Sequence, residues 1–132
     1  MKQIIFADDN EPFRLSFSRI LERSGYAVMQ AEDGREALRK FRESPPDLVI
    51  CDLIMPEMEG METIQELTRM KPDIRIIAIS GGGRVNPLDY LKVARMMGAV
   101  ETLAKPFSSE ELLASVVRLI GPGDQAAIPS KR

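Results

Sequence analysis

Residues 47–60 read D-L-V-I-C-D-L-I-M-P-E-M-E-G, and the rest of the chain is organised around them. Leu48, Val49, Ile50 and Cys51 form an unbroken apolar run too short for a helix. Such a run fits a central parallel strand covered on both faces. Asp52 ends it. Pro56 then disfavours the helical region for Met55, so the chain must extend or turn before the next helix. A carboxylate is thereby placed where a buried strand meets a loop, and in an open parallel sheet the carboxyl ends of the strands are where ligands bind.

Toward the amino terminus, residues 4–7 are an apolar run closed by Asp8-Asp9 and read as a first strand. Asn10 is placed to cap the next helix, Pro12 lies in its first turn, and Phe13, Phe17, Ile20 and Leu21 recur at helical spacing until Gly25. Residues 26–31 form a half-alternating second strand. Asp33-Gly34 opens a helix with Ala37, Leu38 and Phe41 on one face, and Ser44-Pro45-Pro46 breaks it.

Toward the carboxyl terminus, Gly60 permits a tight entry to a third helix, with Met61, Ile64, Leu67 and Thr68 expected inward and Lys71-Pro72 ending it. Residues 74–79 are a fourth strand, followed by Ser80 and three glycines, which suit a flexible loop or a close backbone approach. A fourth helix over 87–97 stops at Gly98. Residues 100–104 form a fifth strand, whose Glu101 and Thr102 suit a sheet edge. Ser108-Ser109-Glu110-Glu111 is a capping box for a last helix with Leu112, Leu113, Val116, Leu119 and Ile120 on its apolar face. The reading is one α/β domain over 1–120, a doubly wound five-stranded parallel sheet with right-handed crossovers, followed by a flexible Gly/Pro/Ala/Ser-rich tail over 121–132.

Composition narrows the function. The 18 basic and 20 acidic residues are interspersed, leaving no basic stripe for direct nucleic-acid binding and no polybasic membrane patch. The one cysteine, Cys51, sits within the apolar strand, as a core residue in a reducing compartment would. The opening M-K-Q-I-I-F-A-D-D lacks a signal-peptide pattern and no segment has the length of a membrane span, so the expected location is cytoplasmic. The chain contains no histidine, which removes Ser-His-Asp and Cys-His triads and the usual zinc sites together.

A parallel sheet brings Asp8-Asp9, Asp52, Ser80 and Lys105 to one edge. Singly, each is ordinary turn, cap or surface chemistry. Together, they end four of five strands in groups able to handle phosphate or metal. Carboxylates so close repel by about 4 kcal/mol per pair at 4 Å and an effective dielectric of 20, so the cluster must raise a pKa or bind a cation. Oxygen ligands with room for water suit magnesium. With a divalent ion and the Lys105 ammonium neutralising a phosphoryl group and Ser80 donating to it, Asp52 is the natural nucleophile.

Asp8-Asp9 after the first strand, D-L-I-M-P-E-M-E-G with Asp52, Ser80 followed by small residues, and Lys105-Pro106-Phe107 resemble the receiver domain of bacterial response regulators, over about residues 2–120. The resemblance implies a flavodoxin-like strand order 2-1-3-4-5 with the site at the switch point between strands one and three. It implies that Asp52 is the phosphoacceptor and that Asp9 ligates magnesium directly. Asp8 would assist through water, and the carbonyl of Ile54 would add a ligand. Ser80 and the Gly81 amide would bind the phosphoryl group, bridged by Lys105, and the Lys105–Pro106 bond would be cis. The phosphoryl donor would be a phosphohistidine on a sensor histidine kinase or histidine phosphotransfer protein.

Two departures from the family pattern stand out. Thr102 occupies the fifth-strand position where the family carries an aromatic switch residue, and the segment over 81–90 is longer than usual, reading either as a flexible surface loop or as a mobile lid with Arg84 able to approach the phosphoryl group or the partner. The reading is a stand-alone receiver that signals through altered protein contacts in a two-component system or phosphorelay. It is not an enzyme beyond its own phosphorylation and dephosphorylation. Two alternatives stand beside it: a receiver-shaped interaction module independent of phosphate, and a magnesium-dependent aspartyl-phosphate phosphatase, which the adjacency of Asp8 and Asp9 disfavours.

Overall fold

A computed structural model describes residues 1–53, 60–81 and 87–124, the last range with side chains from residue 92 onward. Among these residues five strands alternate with five helices: β1 (Gln3–Ala7), α1 (Glu11–Arg23), β2 (Ala27–Ala31), α2 (Gly34–Glu43), β3 (Leu48–Asp52), α3 (Gly60–Met70), β4 (Arg75–Ser80), α4 (Pro87–Met97), β5 (Glu101–Ala104) and α5 (Ser109–Ile120). All neighbouring strands pair in parallel, in the order β2-β1-β3-β4-β5. This is the flavodoxin-like order expected, with β5 at an edge. No described helix is long and apolar enough to cross a membrane.

Side chains alternate across a strand, so an apolar run feeds two cores at once. Ile5, Val49, Cys51, Ile76 and Ala78 pack with Leu38, Phe41, Ile64 and Leu67 on the α2–α3 face. Ile4, Phe6, Leu48, Ile50, Ile77 and Ile79 pack with Leu21, Leu112 and Val116 on the α1–α5 face. β3 is buried along its whole length, as its place between β1 and β4 requires. Truncating one of its fully buried residues, such as Ile50, to alanine is expected to cost about 2–5 kcal/mol.

The expected caps form. Asn10 accepts from the Phe13 amide at 3.2 Å and Asp33 from the Glu36 amide at 2.8 Å. The Ser108 and Glu111 side chains each accept from the other's amide. On α3 the inward face is Gly60, Thr63, Ile64 and Leu67. Thr68, expected inward, is only half-buried and donates back to the Ile64 carbonyl at 2.8 Å. It lies on the shoulder of the helix, one residue past the buried stripe.

Residues 121–124 lie along the amino-terminal rim of the sheet. Tyr26 donates to the Gly121 carbonyl at 2.6 Å, Lys2 to the Pro122 carbonyl at 2.9 Å, and the Asp124 amide to the Gly25 carbonyl at 2.9 Å. Gly25 has a φ of +95°, and a Cβ there would stand 2.5 Å from the Asp124 carbonyl oxygen.

Candidate functional site

The parallel register brings the functional side chains to one rim. Ala7 pairs with Cys51, and Asp52 pairs with Ile79, so Asp8, Asp52 and Ser80 leave adjacent strands at nearly the same level. Ser80 pairs with Ala104, which sets Lys105 beside them. The Lys105 amide donates to the Ser80 carbonyl at 2.8 Å, continuing the sheet by one bond beyond β5.

Asp8, Asp9 and Asp52 each offer an oxygen to a cluster whose atoms all lie within 4.8 Å of one another. Asp8 is fully buried, Asp52 is 6 % exposed, and Asp9 faces solvent. The Lys105 ammonium reaches over the cluster, 3.0 Å from Asp8 Oδ2 and 3.4 Å from Asp52 Oδ2. Among these four side chains one positive charge faces three carboxylates. That excess, with two of the three carboxylates buried and all donors oxygen, fits a hard divalent cation such as magnesium.

The first carboxylate is held from several directions. Asp8 Oδ1 accepts from the Asn10 amide at 2.9 Å, and the Asp8 amide donates to the Ala31 carbonyl at 3.0 Å. The Asp8 carbonyl accepts from the Arg14 guanidinium at 2.7 Å, whose Nε donates to Gln30 at 2.9 Å. Arg14 is 8 % exposed, so this guanidinium is an interior strut between α1 and the end of β2. On the other side of the cleft, the Ser80 hydroxyl is buried with no hydrogen-bond partner among the described residues. A buried hydroxyl left so is costly unless a ligand completes it.

Two glycines allow the backbone to close in. A Cβ on Gly81 would stand 2.2 Å from Lys105 Cβ, and one on Gly60 would stand 2.2 Å from the Asp52 carbonyl oxygen. The Lys105–Pro106 peptide is cis. Beneath the acids, burial pushes the Cys51 thiol far above its ordinary pKa, with the charges of Asp52 and Asp8 adding to the effect.

Asp8, Asp9, Asp52, Ser80, Gly81 and Lys105 therefore gather at one rim, whereas Ile54 and Arg84 lie outside the described residues. Thr102 is half-buried on β5, opposite Ala78. Sequence reasoning missed the two neighbours Phe13 and Arg14. The Phe13 ring was legible only as part of an apolar stripe, although the Lys105 ammonium stands 4.2 Å from its centroid. Arg14 resembled any solvated helix arginine.

The family described as response regulator receiver domain matches residues 4–117. The chain is 35% identical over 134 residues to the response regulator MprA of Mycolicibacterium vanbaalenii, a match covering 96% of this chain and 56% of MprA. It thus spans about half the length of that relative. It is 32% identical over 114 residues to the chemotaxis protein CheY of Thermotoga maritima, covering 85% of this chain and 92% of CheY. A solved receiver-domain structure from Clostridium thermocellum superposes with a TM-score of 0.84 at 30% identity, covering 91% of this chain and 94% of that one. The rim of acids, hydroxyl and lysine thus stands on a sheet whose order, sequence and three-dimensional course are those of known receivers, and the chain belongs to the response regulator receiver domain family.

Proposed function

We propose that this chain accepts a phosphoryl group on Asp52 from a phosphohistidine of a sensor histidine kinase or histidine phosphotransfer protein, in a magnesium-dependent reaction. The signal then passes to a downstream protein through altered contacts. The observation that carries this reading is the Lys105 ammonium bridging Asp8 and Asp52 within the three-carboxylate cluster.

Each residue of the site has a definite task in this reading. The Asp52 carboxylate oxygen forms a bond to phosphorus as the phosphorus–nitrogen bond of the donor breaks and the imidazole nitrogen keeps the electron pair. Strand pairing on both sides of β3 fixes the backbone that carries this carboxylate, which limits the reorganisation needed. Lys105 leaves its contact with Asp52 for a phosphoryl oxygen, and Ser80 donates its unpartnered hydroxyl to another, with the Gly81 amide adjacent. Asp8, Asp9 and Asp52, with the Ile54 carbonyl that the family resemblance implies, would hold magnesium, which would supply neutralisation of the charge on the transferred group. The chain acts only on itself: water later releases phosphate and restores the carboxylate.

A modification shifts a conformational equilibrium only by interacting unequally with the two states, and Ser80 and Lys105 supply the inequality here. The mixed surface charge supports a protein, not a nucleic acid, as the direct partner. The buried lone thiol supports a cytoplasmic setting.

Incubation with magnesium and acetyl phosphate, followed by intact mass measurement, tests the reading. The wild type should gain one phosphoryl group and Asp52→Asn none. Equal gain in both would move the acceptor elsewhere, and steady turnover of a generic phosphoester would favour a phosphatase.

A further inference from the structure

The Lys105 side chain is a flexible four-carbon stem ending in a point charge, yet it meets fixed partners on three sides. Two are the carboxylates of Asp8 and Asp52. The third is the ring of Phe13, whose centroid lies 4.2 Å from the ammonium. A ring face carries the negative part of an aromatic quadrupole and attracts a cation, more so where water is partly excluded. Here the Lys105 side chain is only 20 % exposed.

The ring is itself immobilised. Phe6 and Phe107 meet Phe13 edge-on, with centroids 6.2 and 5.6 Å away, and Phe17 lies against it at 4.7 Å. Phe107 also contacts Phe17 at 5.1 Å, closing a cluster between the start of α1 and the entry to α5. The next residue along, Arg14, pins the first turns of α1 to the Asp8 carbonyl. Phe13 is thus a rigid platform, whereas the lysine it faces has rotamer freedom to lose.

We propose that Phe13 is a positioning residue for Lys105, its ring face holding the ammonium in place above Asp8 and Asp52. An aliphatic side chain of similar volume fills the space and leaves the ammonium without that third restraint. The effect on phosphoryl recognition rests on the phosphoacceptor reading, but the placement of the ammonium does not.

Nuclear magnetic resonance of the metal-free chain with 13C-labelled lysine tests the placement directly. Ring current should move the Lys105 Cε protons upfield of those of the other lysines. Phe13→Leu should return them to the common position, and Phe13→Tyr should retain the shift. Magnesium-dependent binding of beryllofluoride, a phosphoryl mimic, should weaken about three- to tenfold in Phe13→Leu, and Phe13→Tyr should restore it. Phe13→Met serves as a second aliphatic variant if the leucine variant does not fold. An unshifted Lys105 in the wild type, or aliphatic variants that bind beryllofluoride as tightly as the wild type, overturns the proposal. A wild type that shows the upfield shift but binds no beryllofluoride keeps the placement of Lys105 and refutes the phosphoacceptor reading instead.

Discussion

The two rims of the sheet solve opposite problems. At the amino-terminal rim, donors and acceptors are matched: Tyr26 with Gly121, Lys2 with Pro122, and Gln3 and Asp47 with each other in both directions. At the carboxyl-terminal rim, three carboxylates crowd one ammonium, and a buried serine hydroxyl has no partner among the described residues. The first rim contributes stability. The second withholds it, leaving interactions that a bound cation and a bound anion would complete under the proposed function, the usual trade between a stable surface and a functional one.

The widest separation between the rims should come from magnesium. At a free concentration about 100 times its Kd the ion should raise unfolding stability by about 2.7 kcal/mol. Urea titrations with and without magnesium measure the increment. Asp9→Asn should reduce it and Tyr26→Phe should not. If magnesium leaves wild-type stability unchanged, the contrast drawn between the rims collapses.

Two glycines in similar steric straits sharpen the comparison next. A Cβ on Gly60 meets the Asp52 carbonyl oxygen at 2.2 Å, and one on Gly123 meets the Ser24 carbonyl oxygen at 2.0 Å. Gly60 is wedged between a buried strand end and a helix, so Gly60→Ala should cost about 2 kcal/mol and slow phosphorylation by acetyl phosphate. Gly123 lies in a segment held by a few hydrogen bonds, which can lift away. Gly123→Ala should therefore cost about 1 kcal/mol at most and leave phosphorylation unaltered. Equal losses would mean that the segment over 121–124 is as firmly embedded as β3.

A smaller loss is expected for Tyr26→Phe, about 1 kcal/mol for one partly buried hydrogen bond. Burial raises the Tyr26 pKa, so the neutral donor is the favoured folded form. The difference from wild type should hold below about pH 10, the ordinary tyrosine value, and shrink as pH rises through the folded-state value. The smallest effect belongs to Glu101, bound by Arg118 at 2.8 Å and Ser115 at 2.7 Å. Its hydrogen bond to Arg118, with that from Ser115, holds its pKa below the usual carboxylate value. The stability it contributes is present above about pH 4.3 and is lost as pH falls through the lower folded-state value. Glu101→Gln should cost about 0.5 kcal/mol at neutral pH, with the gap closing in acid, by thermal unfolding across pH.

The skeleton of this arrangement was legible in the sequence because strand and rim share one signal, an apolar run that stops at a polar group. Residues 48–52 gave β3 and the proposed acceptor position together, and the same grammar gave Asp8 after β1 and Lys105 after β5. Helix phase was less secure. Thr68 and Thr63 look alike in composition, and only packing decides which lies in the buried stripe. Arg14 was illegible because a charged residue in a helix defaults to solvent, and its burial depends on Gln30 and the Asp8 carbonyl arriving from elsewhere. Composition read residues 121–124 as the start of a flexible tail, since the bonds that tie them to the rim meet main-chain groups, which no side-chain pattern displays.

Cys51 lies in the most enclosed strand, with none of its surface exposed and its thiol held protonated. Alkylating reagents need an accessible thiolate, so this sulfur should stay silent until β3 itself is freed. Its rate of modification then reports the rarest opening of the molecule, a built-in clock for global unfolding that needs no added probe.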